Sequence, residues 1–193
     1  MVARRPRPPR IGENFVAVLA GAQDKAGWAF ERLYHGFAPL VAGYLRLQGS
    51  PEPDDLTNEV FLSAFAAIET FRGDETQFRS WLFTIAHRRL TDERRRLGRR
   101  PPTVDRDVAS APDAAGGDVE EEALRRLSVE RVRRLCDRLA PDQRDVLLLR
   151  MVSTLSIDQT AEALGKSPTA VKALQRRALV AVRRAFDDEG VSL

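Results

Sequence analysis

The stretch from Ser156 to Arg177, SIDQTAEALGKSPTAVKALQRR, constrains the fold more than any other part of the chain. It reads as a helix, a turn at Gly165 and a second helix. Ala161 is the small residue that lets the two helices touch. Gly165, further on, gives the backbone freedom that a tight turn needs. Val171 and Leu174 are the apolar residues of the second helix, expected to pack back onto Leu164 and Ala161. A helix-turn-helix of this kind sets its second helix in the DNA major groove. Lys172, Gln175, Arg176 and Arg177 then lie on or beside the outward face, with Ser167, Pro168 and Thr169 at its start.

The rest of the composition must supply a core for that motif. Of 193 residues, 43% are apolar and 31% charged, enough for one large helical domain or two small ones. The net charge is only +3, yet lysine supplies just Lys25, Lys166 and Lys172 of the 31 basic residues. The arginine fork suits phosphates and guanine edges, and an arginine-biased genome accounts for the same excess. Cys136 is the one cysteine, so no intrachain disulfide can form, and its place among Val132, Leu135 and Leu139 reads as core filling. His35 and His87 lack ligand spacing, so neither a metal nor another cofactor is expected. Arg4-Arg5 ahead of Phe15–Ala22 has the outline of a secretion signal, but the apolar run is short and Glu13 and Asn14 precede it. No stretch reaches the ~20 apolar residues of a membrane span. A cytoplasmic chain without membrane insertion is expected.

Residues 1–10 form a basic, proline-rich tail that is expected to be disordered. A short helix is expected from Gly12 to Ala22. Phe30, Leu33, Tyr34, Phe37, Leu40, Val41, Tyr44 and Leu45 then recur at helical spacing, with a kink or break expected near Gly36–Ala38 because of Pro39. Asp54 and Asp55 open the next helix, where acidic residues suit the dipole. Leu56, Val60, Ala64 and Ile68 form its apolar stripe, and Asp55, Asn58, Glu59 and Leu62 fall opposite. Phe71–Gln77 reads as a polar loop. The helix after it carries Phe78, Trp81, Leu82, Ile85, Arg89 and Leu90 on one face. Arg79, Ser80, Thr84, His87, Arg88 and Thr91 lie on the other, and Arg94, Arg95, Arg96, Arg99 and Arg100 end it. Such a density of charge suits phosphate contact, and a helix C-terminus also favours cations.

Periodicity vanishes from Pro101 to Asp118, where Pro, Ala, Gly and Asp dominate. A helix is expected from Glu120 to about Arg138, and Pro141 begins another. The expected organisation is all-α: two small helical domains joined by a flexible linker, the C-terminal one containing the helix-turn-helix. The boundaries are 1–10 for the tail, 11–98 for the first domain, 99–121 for the linker and 122–193 for the second domain.

Two blocks, DDLTNEVFLSAFAAIETFRGDETQFRSWLFTIAHRRLTDERRR (Asp54–Arg96) and LAPDQRDVLLLRMVSTLSIDQTAEALGKSPTAVKALQRRALVAVRRA (Leu139–Ala185), resemble regions two and four of bacterial sigma factors. The short chain without a middle domain resembles the extracytoplasmic-function (ECF) group. The resemblance implies a non-enzymatic subunit that binds core RNA polymerase and directs promoter recognition, DNA melting and transcription initiation. It implies docking of Asp54, Asp55, Asn58, Glu59 and Leu62 on the clamp helices of the polymerase. It implies that Arg72, Asp74, Gln77, Phe78, Arg79 and Ser80 hold a flipped base of the minus-ten strand, with Trp81 chiefly packing. The unstacking cost, about a few kcal/mol, is met by such contacts.

By the same resemblance His87, Arg88, Arg94 and Arg95 track phosphates. Ser167, Pro168, Thr169, Lys172, Gln175, Arg176 and Arg177 read the minus-thirty-five duplex, with free amides at the helix start able to meet a phosphate. Leu147, Leu148 and Met151 are core residues that could also touch the polymerase flap. An anti-sigma partner is a family expectation. Two departures stand out: Thr160 replaces an apolar residue before Ala161, and Ser153-Thr154 replaces an acidic-glycine pair, both expected to loosen the domain slightly.

A conventional helix-turn-helix regulator with an N-terminal sensor or interaction domain is the competing reading, and it gives no reason for the arginine-rich helix in Asp54–Arg96. No phosphate loop, metal cluster or nucleophile–base spacing suggests an enzyme.

Overall fold

The computed structural model describes residues 11–98 and 131–188. The tail 1–10, the linker expected over 99–121, the start of the helix expected from Glu120 and the last five residues lie outside the described residues. Among the described residues every regular element is helical.

The first domain grows from four apolar stripes. A short 3-10 turn leads into α1 (Phe15–Gln23), which buries Phe15, Val18, Leu19 and Ala22. Next comes α2 (Gly27–Leu47), buried along Leu33, Phe37, Val41, Tyr44 and Leu45. It continues through Pro39 as one helix, without the break that was one of the two expectations there. Pro39 is exposed, and so is His35, whose carbonyl loses its helical partner there and can turn to water. The fully buried side chains on the opposite face hold the helix together. In α3 (Pro53–Ala67) proline stands in the first turn and Asp54 and Asp55 face the dipole. Its buried side is Leu56, Val60, Phe61 and Ala64.

The fourth helix, α4 (Glu75–Leu97), starts three residues before the expected Phe78. Asp74 accepts from the Gln77 backbone N–H and Gln77 accepts from that of Asp74, both at 2.8 Å, a capping box. The D-x-x-Q spacing was there to be read. Phe78 lies at the centre of an aromatic cluster with Phe15, Phe37, Phe71 and Trp81, at centroid distances of 5.3–5.7 Å.

The second domain comprises α5 (residues 131–137), α6 (Pro141–Met151), α7 (Ile157–Leu164) and α8 (Pro168–Asp188). Ser156 and Gln159 form another capping box at the start of α7. Gly165 ends that helix at φ +62°, the left-handed cap its sequence position implied. Val146, Ala161, Val171 and Leu174 form one apolar cluster, with Ile157 and Leu164 against it. Leu139, Leu147 and Ala178 form another. Thr160 is fully buried without an unmet hydroxyl, because its Oγ1 donates to the Ser156 carbonyl at 2.7 Å.

The two domains touch. α7 packs along α4, and α6 meets α2. Cys136, Leu148, Leu149, Leu155 and Ala163 join the apolar core of the first domain. The polar face of α4 is therefore partly covered. Arg79 is 4% exposed and Ser80 8%. The hydrophobic pattern of α4 shows only the face toward α2 and α3; its second face is buried by an element whose sequence is far away.

Candidate nucleic-acid interface

The second helix of the helix-turn-helix, α8, is built for exposure. Ser167 caps α8, its Oγ accepting from the Ala170 N–H at 3.2 Å. Pro168 occupies the first turn. Val171, Leu174 and Ala178 are buried, which fixes the helix rotation. That rotation leaves Ser167, Pro168, Thr169, Lys172, Arg176 and Arg177 exposed and Gln175 half-buried. The cations thus form a solvent-facing surface on the first half of the helix, near the helix-turn-helix corner. Leu147 and Leu148 lie in the core, whereas Met151 is 58% exposed.

The loop before α4 is shaped by its backbone. Gly73 has φ +152°, and a Cβ there would come within 2.7 Å of Gln77. Asp74 and Gln77 are exposed but spend hydrogen bonds on their capping box. Arg72 is exposed and donates to the carbonyls of Glu69 and Phe71, each at 2.7 Å. Phe78, Arg79 and Ser80 lie beneath this loop, buried. Arg79 stacks over the Phe37 ring at 5.5 Å, pairs with Glu75 at 3.7 Å and reaches Thr154 Oγ1 at 3.4 Å.

Along α4, Arg88 and Arg95 are exposed, and Arg95 pairs with Asp92 at 3.7 Å. His87 and Arg94 are half-buried at the contact with the second domain. His87 Nδ1 lies 3.1 Å from the Tyr44 hydroxyl. Burial holds the His87 pKa below its ordinary value, with smaller opposed influences from Asp145 and Arg94. Burial, aided by Asp145, pushes the Tyr44 phenol up. Gln48, Asp145 and Tyr44 were not singled out in the sequence as functional residues. Gln48 and Asp145 are 97 residues apart, and no local spacing could pair them.

A separate surface forms on α3. Asp54, Asp55, Asn58 and Leu62 are exposed, Leu62 at 71%, and Glu59 is half-buried. Asn58 accepts from the Tyr34 hydroxyl at 2.8 Å, Asp54 pairs with Arg46 at 3.2 Å, and Glu59 with Arg96 at 3.9 Å. A lone exposed leucine in this acidic row has no use within the domain.

Two all-helical domains, one offering a cationic recognition helix and the other an arginine-rich helix beside an aromatic loop, define a DNA-binding protein with two reading heads. Residues 33–100 match the Sigma-70 region 2 family and residues 129–182 the Sigma-70 region 4 family. The chain is 30% identical over 188 residues to the ECF RNA polymerase sigma factor BldN of Streptomyces coelicolor, covering 96% of this chain and 71% of that protein. It is 32% identical over 174 residues to the ECF RNA polymerase sigma factor SigD of Mycobacterium tuberculosis, covering 87% and 82%. Among solved structures, its fold resembles that of CnrH in complex with the cytosolic domain of CnrY. There the TM-score is 0.66 and the identity 24%, over 91% of this chain and 99% of that one. It also resembles RpoE bound to the anti-sigma factor NepR from Bartonella quintana. There the TM-score is 0.62 and the identity 20%, over 82% and 96%.

The chain belongs to the ECF RNA polymerase sigma factors. Its partners are core RNA polymerase and promoter DNA, and it directs promoter recognition and transcription initiation. Sigma factors are non-enzymatic initiation factors. Among the described residues no helix is long and apolar enough to cross a membrane.

Proposed function

We propose that this sigma factor works in the cytoplasm through surfaces on both of its domains. The α3 row of Asp54, Asp55, Asn58, Glu59 and Leu62 docks on the polymerase clamp, and Met151 meets the flap. Arg72, Asp74 and Gln77 line the entrance for a flipped minus-ten base, with Phe78, Arg79 and Ser80 supporting that loop from below. His87, Arg88, Arg94 and Arg95 follow the strand's phosphates. The first half of α8 reads the minus-thirty-five duplex through Lys172, Gln175, Arg176 and Arg177, with Ser167, Pro168 and Thr169 against the backbone. An anti-sigma protein is a further partner, by analogy with the RpoE–NepR complex. The expected domains, 11–98 and 122–193, are the two heads, each for its own promoter element.

The observation that carries this reading is the rotation of α8, which buries Val171 and Leu174 and leaves Lys172, Arg176 and Arg177 in solvent. Transcription with core polymerase on a promoter library tests it. Arg176→Ala is expected to weaken discrimination at one minus-thirty-five position by ~1–3 kcal/mol, the value of a bidentate base contact, and to leave the minus-ten preference unchanged. An unaltered minus-thirty-five preference refutes the assignment of Arg176.

A further inference from the structure

The loop that precedes α4 is held at both ends by one remote segment of the chain. At the start of the loop, Gln23, the last residue of α1, donates from Nε2 to the Phe71 carbonyl at 2.8 Å and to the Ile68 carbonyl at 3.3 Å. At its end, the Glu75 carboxylate accepts from the backbone N–H groups of Ile11 and Gly12, just ahead of α1, at 3.2 and 3.0 Å. Between these points the Phe15 ring lies 5.6 Å from that of Phe78. Residues 11–23 thus form a brace across the base of the loop. Each of its four hydrogen bonds joins residues 45 or more positions apart.

The loop depends on such an outside hold. Gly73, at φ +152°, gives its backbone a freedom that other residues lack, so its shape follows from what fixes its two ends. The Phe71 carbonyl held by Gln23 also accepts from Arg72 Nη1 at 2.7 Å. Gln23 therefore sets the direction of the carbonyl, and the carbonyl sets where the Arg72 guanidinium lies. Glu75 fixes the first turn of α4 in the same way, and it also pairs with buried Arg79 at 3.7 Å. Phe15, Val18, Leu19 and Ala22 already bury α1, so the Gln23 amide is left to serve the loop. All of α1 lies ahead of residue 33, where the match to the region 2 family begins. We propose that α1 is a determinant of minus-ten selection, with Gln23 and Glu75 as positioning residues that fix the shape of the loop from Phe71 to Glu75. Both act through the loop and not on the DNA. The inference rests on the reading of that loop as the entrance for the minus-ten base. Its consequence is that two chains with identical loops and different residues at position 23 choose different promoters.

The test is transcription by the full chain with core polymerase on a library randomised at both promoter elements, with the Tm of each variant measured alongside. Gln23→Met keeps the length of the side chain and removes the donor. It is expected to change the relative output from different minus-ten sequences by roughly twofold to tenfold, the range of one lost hydrogen bond, at an unchanged minus-thirty-five preference. Glu75→Gln leaves one acceptor oxygen where two stood and should shift the same minus-ten positions from the other end of the loop. Gln23→Lys returns a donor to the two carbonyls and should restore the parental ranking; a ranking as altered as that of Gln23→Met overturns the role of the donor. A helix that merely stabilised the domain would lower Tm and the output from every promoter alike. A parental ranking of minus-ten sequences in both Gln23→Met and Glu75→Gln therefore overturns the proposal. Arg72→Ala separates it from the reading on which it rests. If Arg72→Ala changes the ranking while the other two do not, the loop stands and the brace falls. If all three leave the ranking unchanged, the loop assignment and the brace fall together.

Discussion

Thr154 offers a direct measurement of strain. It lies between α6 and α7 at φ +56°, a region that β-branched residues rarely enter. Holding a residue in such a sparsely populated conformation costs on the order of 1–3 kcal/mol, and a β-branched side chain belongs to the upper part of that range. Glycine removes the strain but returns ~0.5–1 kcal/mol through the greater freedom of the unfolded chain. Thr154 is exposed, so little packing is lost with its side chain. Its hydroxyl accepts one long hydrogen bond from Arg79, 3.4 Å, which is worth about 0.5 kcal/mol at most. Thr154→Gly should therefore stabilise the chain by roughly 0.5–2 kcal/mol, or about 1–8 °C in Tm for a protein of this size. Thr154→Val keeps the branching and deletes the hydroxyl, and should lower stability by about 0.5 kcal/mol. Differential scanning calorimetry of the three chains decides the matter. A Thr154→Gly chain that melts below the parent would show that relief of strain is outweighed by the lost hydrogen bond and the freer unfolded chain.

Gly165→Ala acts in the opposite sense. A Cβ there meets nothing within 4 Å, so the cost is backbone strain alone at φ +62°, about 1 kcal/mol, and chemical denaturation should show it without change in the core. His87 makes the domain contact sensitive to acid. Because its folded pKa lies below the ordinary value of about 6.5, the unfolded chain binds the proton more readily, and stability falls as pH drops below that value. The groups acting on it are Asp145 and Asp142, which oppose the shift, and Arg94 and Lys166, which reinforce it. Denaturation midpoints from pH 8 to 5.5 should decline, and less so in His87→Gln; equal declines would exonerate His87.

Local structure was legible in the sequence wherever one short stretch decides it. Gly165, Val171 and Leu174 imply the helix-turn-helix, and the α3 stripe of Leu56, Val60, Ala64 and Ile68 is buried as its spacing implies. Pro39 misled, because a proline penalty depends on which side of the helix faces water, and the sequence around it carries that only through the burial of Phe37 and Val41. The second face of α4 was illegible for a different reason. Arg79 and Ser80 fall on the polar face of α4 by spacing yet are buried, Arg79 against Phe37, Glu75 and Thr154, and Gln48 meets Asp145 across 97 residues. Periodicity reports burial within an element, whereas pairing between remote polar residues leaves no periodic trace.

The clasp at Asp145 has a consequence for how little force it needs. Residues 99–130 join the heads and allow a contour of at most roughly 110 Å, so a released head stays within reach of its partner. Two sites tethered on one chain by a short flexible segment meet at an effective concentration of about millimolar order. At that local molarity a contact with only millimolar intrinsic affinity is already half closed. On such a tether the surfaces between α4 and α7 need little intrinsic affinity to keep the heads together.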